Sequence, residues 1–394
     1  FVRQNYPYIN YLLGEVFRYT SNFNLALESY HSAERLYRSL NNSWGVSLAL
    51  QGQARVYLDT IRPVNADQLL QDALQLLDPY EDPSQYANLL VLTAENQLNL
   101  GNPDSAEKLL DQARVLLSEI DNETDLIKAR ILLRTGNIKG GISHLESRKD
   151  EADGNVPPSR PQRFHREASL LLSLFYAITG DVEKCEYYAQ RGINIGENLQ
   201  STFVQSVGYM RMGHSLQLRN RHPWNNNGFD QAMDYYQQAI DKVEVTRIHV
   251  EPLWGKGRAL GYSGRIEEAE QEATRSLEIA AKAGDQWIGL LIHLSLGAGQ
   301  VLSGSYEAAQ ESLSIAESTA LKVKDPYSLT VARIWMALAT WHQDLRNMSF
   351  AYLEKALPLI QRHGFEFLLM KETYLGLQDR ESILPLLIAA KDNN

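Results

Sequence analysis

Cysteine is almost missing from this chain of 394 residues: there is one, Cys185. A single thiol excludes an intrachain disulfide and a cysteine-rich zinc site, and it suits a reduced compartment. Cys185 is expected as a small residue packed between helices. Long apolar runs are lacking too. The most apolar stretch, Trp287 to Val301, is short and broken by His293 and Ser295, so no membrane span or signal peptide is expected. Basic charge is in deficit, with 38 Lys and Arg against 48 Asp and Glu and a formal net charge of -10. Duplex binding needs a basic face to neutralise phosphates, so direct contact with nucleic acid by this segment is not expected. β-Branched runs are scarce, whereas Leu, Ala, Gln, Glu and Arg are plentiful, a mix that favours helix over strand.

Reaction chemistry is equally absent. No GxxxxGK[ST] occurs, and Gly255-Lys256-Gly257 has no nucleotide-binding context. HExxH is missing, and GHSLQ around His214 is not a nucleophile elbow. The nine histidines are scattered without metal-ligand spacing. Runs such as Glu267, Glu268 and Glu270 read as solvated helix surface. The chain is therefore expected not to be an enzyme and to carry no cofactor or metal.

With 44% hydrophobic residues the chain folds, and at this length either several domains or one elongated repeat array is expected. Internal repetition decides between them. Gly14 is followed at fixed spacing by Phe17, Ala26, Tyr30 and Ala33. The spacing recurs at Ala54, Tyr57, Ala66, Leu70 and Ala73, at Ala94, Gln97, Ala106, Leu110 and Ala113, and at Ser173, Tyr176, Cys185, Ala189 and Gly192. Gly257, Leu260, Ala269, Ala273 and Ser276 repeat it, as do Gly297, Gln300, Ala309, Leu313 and Ala316. Weaker copies use Ala129, Gly141 and Leu145, and Ala337, Leu353 and Ala356. Small residues on two successive helices let the backbones approach, and large ones a turn away fill the space beside them. Between the helices, Gly101, Gly136, Gly180, Gly264 and Gly304 suit a left-handed helix end, and the Asn or Asp after the first three suits the start of the next helix.

This pattern resembles the tetratricopeptide repeat. The resemblance implies an all-α solenoid of helix pairs wound into a right-handed superhelix, here about nine pairs, with extra residues in helices or loops. Residues 149–164 (KDEADGNVPPSRPQRF) break the pattern and are expected as an exposed loop. The loop would divide an N-terminal arm (1–148) from a C-terminal arm (165–394). An insertion at 219–228 (RNRHPWNNNG) is either tolerated decoration or a contact point.

The first helix of each pair should line the concave side. Tyr8, Tyr11, Glu15, Arg18 and Tyr19 fall there, as do Gln51, Arg55 and Asp59. In the C-terminal arm the inner face should carry Arg211, His214 and Gln217, then Glu251, Trp254 and Arg258 with Tyr262 close by. Aromatics interleaved with Arg and Glu can grip a peptide or a small polar ligand. They can equally pair across the groove and stiffen it. Arg211, His214, Glu251, Trp254 and Arg258 are taken as the candidate binding residues, and Trp287, Trp335 and Trp341 as core.

A more specific resemblance attaches to the second half. MRMGHSLQL (210–218), VEPLWGKGRALGYSG (250–264), GDQWIGLLIHLSLGAGQ (284–300) and the tail GFEFLLMKETYLG with the later LPLLIAAK (364–391) look like the repeat region of large bacterial transcriptional activators. The maltose-regulon activator is of this family, in which a nucleotide-binding ATPase precedes the repeats and a DNA-binding or bacterial transcriptional activator domain lies at one end. The resemblance implies the sensor and interaction region of a cytoplasmic regulator. Its partners would be an inducer small molecule, a peptide or a protein, together with other domains of the same longer chain. That the chain begins at Phe1 inside an amphipathic pattern fits a piece of such a protein. A homo-oligomer is compatible, and the alternative is a scaffold or co-chaperone-like repeat protein unconnected with transcription.

Overall fold

The recurrent small residues do what their spacing predicts: they bring two helices close enough for a ring to lock between them. Tyr30 is fully buried with its ring against both Gly14 and Gly52, where an added Cβ would lie 2.5 and 2.4 Å from it. Tyr236 is held the same way between Gly213 and Gly255, at 2.6 and 2.4 Å. In each case a large residue of one helix enters the gap that two glycines open on its neighbours.

The computed structural model describes residues 6–60, 62–116, 122–147, 163–219, 226–377 and 379–392. Among them there is no strand, and the helices fall into nine consecutive pairs. The first three pairs are α1 (Pro7–Tyr19) with α2 (Phe23–Ser39), α3 (Ser43–Asp59) with α4 (Pro63–Gln75), and α5 (Pro83–Asn99) with α6 (Pro103–Leu116). Next come α7 (Asn122–Arg134) with α8 (Ile138–Glu146), α9 (Arg163–Thr179) with α10 (Val182–Asn198), and α11 (Thr202–Arg219) with α12 (Asn226–Asp241). The last three are α13 (Val250–Tyr262) with α14 (Ile266–Ala283), α15 (Gln286–Leu302) with α16 (Tyr306–Val323), and α17 (Pro326–His342) with α18 (Arg346–His363). Two short helices, α19 (Phe367–Met370) and α20 (Leu384–Asp392), belong to a C-terminal segment outside the repeat.

The small positions on the second helices, among them Ala26, Ala66, Ala106, Cys185, Ala232, Ala309 and Ala356, have no exposed surface. The five turn glycines all adopt positive φ, between 70° and 87°. Asn137 and Asp181 accept hydrogen bonds from the backbone N–H three residues on and so start α8 and α10. Asn102 departs from this pattern, since its amide turns back to donate to Gln97 Oε1 at 3.1 Å. Of the stretch read as a dividing loop, 149–162 lies outside the described residues, and α9 already begins at Arg163. Packing is continuous across the stretch, with the Phe175 ring of α9 seated on Gly141 of α8. Residues 220–225 of the insertion are also outside the described residues.

The array winds far enough to meet itself. Ser21 Oγ lies 3.4 Å from Ser201 Oγ and accepts from the Phe203 N–H at 3.3 Å. Lys324 pairs with Asp104. Gly284 abuts Val64, and Gly136 abuts Pro326. Val243 and Ile248 are buried in one cluster with Tyr30, Leu50 and Leu70. The superhelix is thus a closed coil, with its interior shared by early and late repeats.

Candidate functional site

The first helices line that interior, and their charges pair from one repeat to the next. Arg18 of α1 donates to Asp59 of α3 at 2.9 Å and to Glu15 at 3.2 Å. Burial pushes the Glu15 carboxyl up, but Arg18, Arg55 and the hydroxyl of Tyr30 outweigh it and hold it at about 2. Arg130 of α7 bonds Glu95 of α5 at 2.7 Å and Glu167 of α9. Arg211 of α11 faces Glu251 of α13 at 3.6 Å.

The five residues singled out from the sequence do come together, between α11 and α13. Arg211 donates from Nε to the Leu170 carbonyl at 3.2 Å and lies 3.5 Å from His214 Nδ1. His214 is wholly buried. Burial, followed by the charges of Arg211 and Arg258, drives its pKa well below the ordinary value, so the ring is neutral. Trp254 Nε1 donates to Ser295 Oγ at 2.8 Å. Arg258 bonds Gln217 Oε1.

An occupant from the chain itself sits against three of the five. After α18 the C-terminal segment turns back into the coil, and Tyr374 is buried with no exposed surface. Its ring lies 4.3 Å from His214 and 5.6 Å, edge on, from Trp254. The Arg258 guanidinium is stacked over both Tyr374, at 4.2 Å, and Tyr262, at 3.9 Å. The segment is tied down along its backbone as well. The Tyr374 N–H donates to the Ala177 carbonyl at 3.0 Å. Trp335 Nε1 donates to the Leu375 carbonyl at 3.2 Å, and the Tyr262 hydroxyl to the Gly376 carbonyl at 3.2 Å. Gly180 is needed for this course. Its φ is +70°, and an added Cβ would lie 2.1 Å from the Glu372 carbonyl oxygen.

Arg211 and Glu251 lie beyond the segment and reach a second space. There the side chains of α3, α5, α7, α9, α11, α13 and α15 leave a chamber of about 150 Å³. Its wall is largely apolar, with Leu133, Leu170, Leu174, Phe203, Val207, Met210 and Ile248. The polar residues are Arg130, Arg134 and Arg211, with Asp59, Glu167, Glu251, Asn99 and Ser206. Arg134 ends α7 and donates to the Leu98 carbonyl at 3.1 Å and to Asn99 Oδ1 at 3.2 Å. Its guanidinium rests 4.5 Å from the centre of the Trp287 ring. Burial pulls Arg134 below the usual arginine range, and the Arg130 charge adds to this against the opposing pull of Asp285 and Glu251.

Sequence reading did not single out Arg130, Arg134, Asn99 or Phe203 for the interior, and it took Trp287 as core. Trp287 is half-buried and donates to Asp325 Oδ2 at 3.1 Å, with one face on Arg134. Trp335 is buried, and Trp341 packs on Phe350. A signal for Arg134 was present. It stands five residues after Ala129, as Asp59 stands five after Ala54 and Asn99 five after Ala94.

No family model and no curated protein matches this chain. Solved structures of similar shape exist. A Rap protein complexed with competence and sporulation factor superposes over 88% of this chain and 98% of its own, with a TM-score of 0.55 and 14% identity. Aspartyl phosphate phosphatase F from Bacillus subtilis is similar over 90% of this chain and 94% of its own, with a TM-score of 0.49 and 14% identity. A signal-transduction ATPase with a tetratricopeptide repeat sensor from Pyrococcus horikoshii matches 93% of this chain and 52% of its own, with a TM-score of 0.41 and 13% identity. The first likeness supports the fold: an all-α tetratricopeptide-like array of helix pairs. The finer resemblance to bacterial activators rests on the sequence segments. Among the described residues no helix is long and apolar enough to cross a membrane.

Proposed function

We propose that this chain is the effector-sensing and interaction region of a cytoplasmic bacterial transcriptional regulator, without a reaction of its own. The effector site we assign is the interior chamber, in place of the groove at His214, Trp254 and Arg258. One observation carries the reading: the chamber is walled by residues from Leu58 of α3 to Trp287 of α15. A molecule held there touches early and late repeats at once. Its binding energy therefore bears on the contacts that close the coil, such as Ser21 with Ser201 and Arg134 with Trp287. The activator-like segments of the second half give this coupling a destination, the further domains of a longer chain. The Rap protein of similar fold was solved complexed with competence and sporulation factor, which supports a binding role for a coil of this kind. A scaffold that only joins partners would favour an open groove, and here that groove is filled by Tyr374.

The gene product carrying this chain provides the test. Val207 lines the chamber, and Val207→Trp fills it while leaving the closing contacts intact. The variant should keep its helicity and melting behaviour while the regulator's transcriptional response to its inducer is lost. A folded Val207→Trp protein with the parental dose-response curve would overturn the assignment.

A further inference from the structure

The chamber holds three guanidinium groups, and one differs from the other two. Arg130 and Arg211 each have a carboxylate within ion-pair distance. Among the described residues Arg134 has none. Of its five N–H donors it spends one on the Leu98 carbonyl and one on the Asn99 side-chain oxygen, both neutral acceptors. Arg134 itself lines the chamber. The Trp287 ring covers one face of the group and fixes its plane. Asn99 also lines the chamber, and with its oxygen turned to Arg134 its amide N–H₂ is left to donate. A guanidinium held flat beside an amide donor matches the two oxygens of a carboxylate.

Size and charge narrow the occupant. About 150 Å³ suits one ring or a short branched chain and a head group, a volume comparable to cavities that admit benzene. One guanidinium without a carboxylate at ion-pair distance calls for one negative charge, because a second would face Asp59, Glu167 or Glu251. We propose that the chamber binds a small monocarboxylate with an apolar body. Its carboxylate would lie on Arg134 and Asn99, and its body against Leu133, Leu174, Phe203 and Trp287. This inference rests on the chamber being the effector site, and it adds the chemical class of the effector.

Titration calorimetry of the chain with isovalerate and phenylacetate, and with the corresponding neutral amides, separates charge from shape. At least one acid should bind, with its amide weaker by about tenfold or more. Arg134→Gln should bring the acid down to the level of the amide without loss of helicity. Should that variant unfold, the acid and amide affinities of the parent decide alone. Failure of both acids to bind at millimolar concentration, parity of acid and amide, or undiminished acid binding by folded Arg134→Gln would each overturn the inference. If Val207→Trp abolishes the inducer response while acid and amide bind alike, the carboxylate is wrong and the effector chamber stands. If the response survives Val207→Trp, the reading beneath it falls.

Discussion

Arg258 and Arg134 both stand near the inner ends of first helices, and the molecule uses them in opposite ways. Arg258 is stacked between Tyr262 and Tyr374 and bonded to Gln217. The chain supplies its own aromatic partner there, from the C-terminal segment. Arg134 has Trp287 on one face, neutral acceptors on one edge and the chamber beside it. The same residue types on the same kind of helix face therefore make core at one place and a candidate site at another. What separates the two is whether a distant part of the chain returns to fill the space.

The largest effect should come from removing that returning part. Tyr374→Ala takes out a fully buried ring and should cost about 3–5 kcal/mol in denaturant unfolding, together with an altered fluorescence of Trp254 and Trp335. Parental stability would mean that the C-terminal segment is only laid over the repeats. Arg258→Met comes next. It leaves Gln217 Oε1 without its donor and removes two stacking contacts, for an expected loss of about 2–3 kcal/mol.

Acid acts on the filled region as well. His214 is surrounded by Arg211, Arg258, Tyr236, Trp254 and Tyr374. Its pKa in the folded chain lies well below the ordinary imidazole value of about 6.5, so the folded ring stays neutral where the unfolded one takes up a proton. Stability is then fully present above that value and falls as pH drops below it, by at most about 1.4 kcal/mol per pH unit. Melting temperatures from pH 7 downward, compared with those of His214→Gln, isolate this contribution, and parallel slopes would contradict it. The smallest effect is expected at the chamber. Arg134→Met removes a buried guanidinium that has no carboxylate within ion-pair distance among the described residues, and should change stability by no more than about 1 kcal/mol in either direction. A loss equal to that of Arg258→Met would erase the distinction between the two regions.

The repeat itself was legible because its physics is local. Tyr30 against Gly14, or Gly180 ending α9, involves residues within one helix pair, and a spacing of three, four or sixteen records such contacts directly. The nine pairs and the turn glycines followed from that spacing. The inner face was legible for the same reason, and Arg211, His214, Glu251, Trp254 and Arg258 fall on it. What covers that face was not. Tyr374 bonds Ala177, Ser21 meets Ser201, and Arg134 meets Trp287, and each pair joins residues some 150 or more positions apart. Repeat spacing specifies how neighbours pack and leaves open how far the coil winds before it closes. Arg134 was missed for a narrower reason, since α7 and α8 form one of the weaker copies and its inner face was not followed as far as those of its neighbours.

The central claim is that the interior chamber, rather than the groove filled by Tyr374, takes a ligand. Diffraction from crystals of the chain grown with 4-bromophenylacetate tests it by position, because the anomalous signal of bromine marks where the molecule sits. The peak is expected inside the chamber, in the space bounded by Arg134, Phe203 and Trp287. A peak at His214 and Trp254 with the C-terminal segment displaced, or full occupancy elsewhere on the molecule, would contradict it.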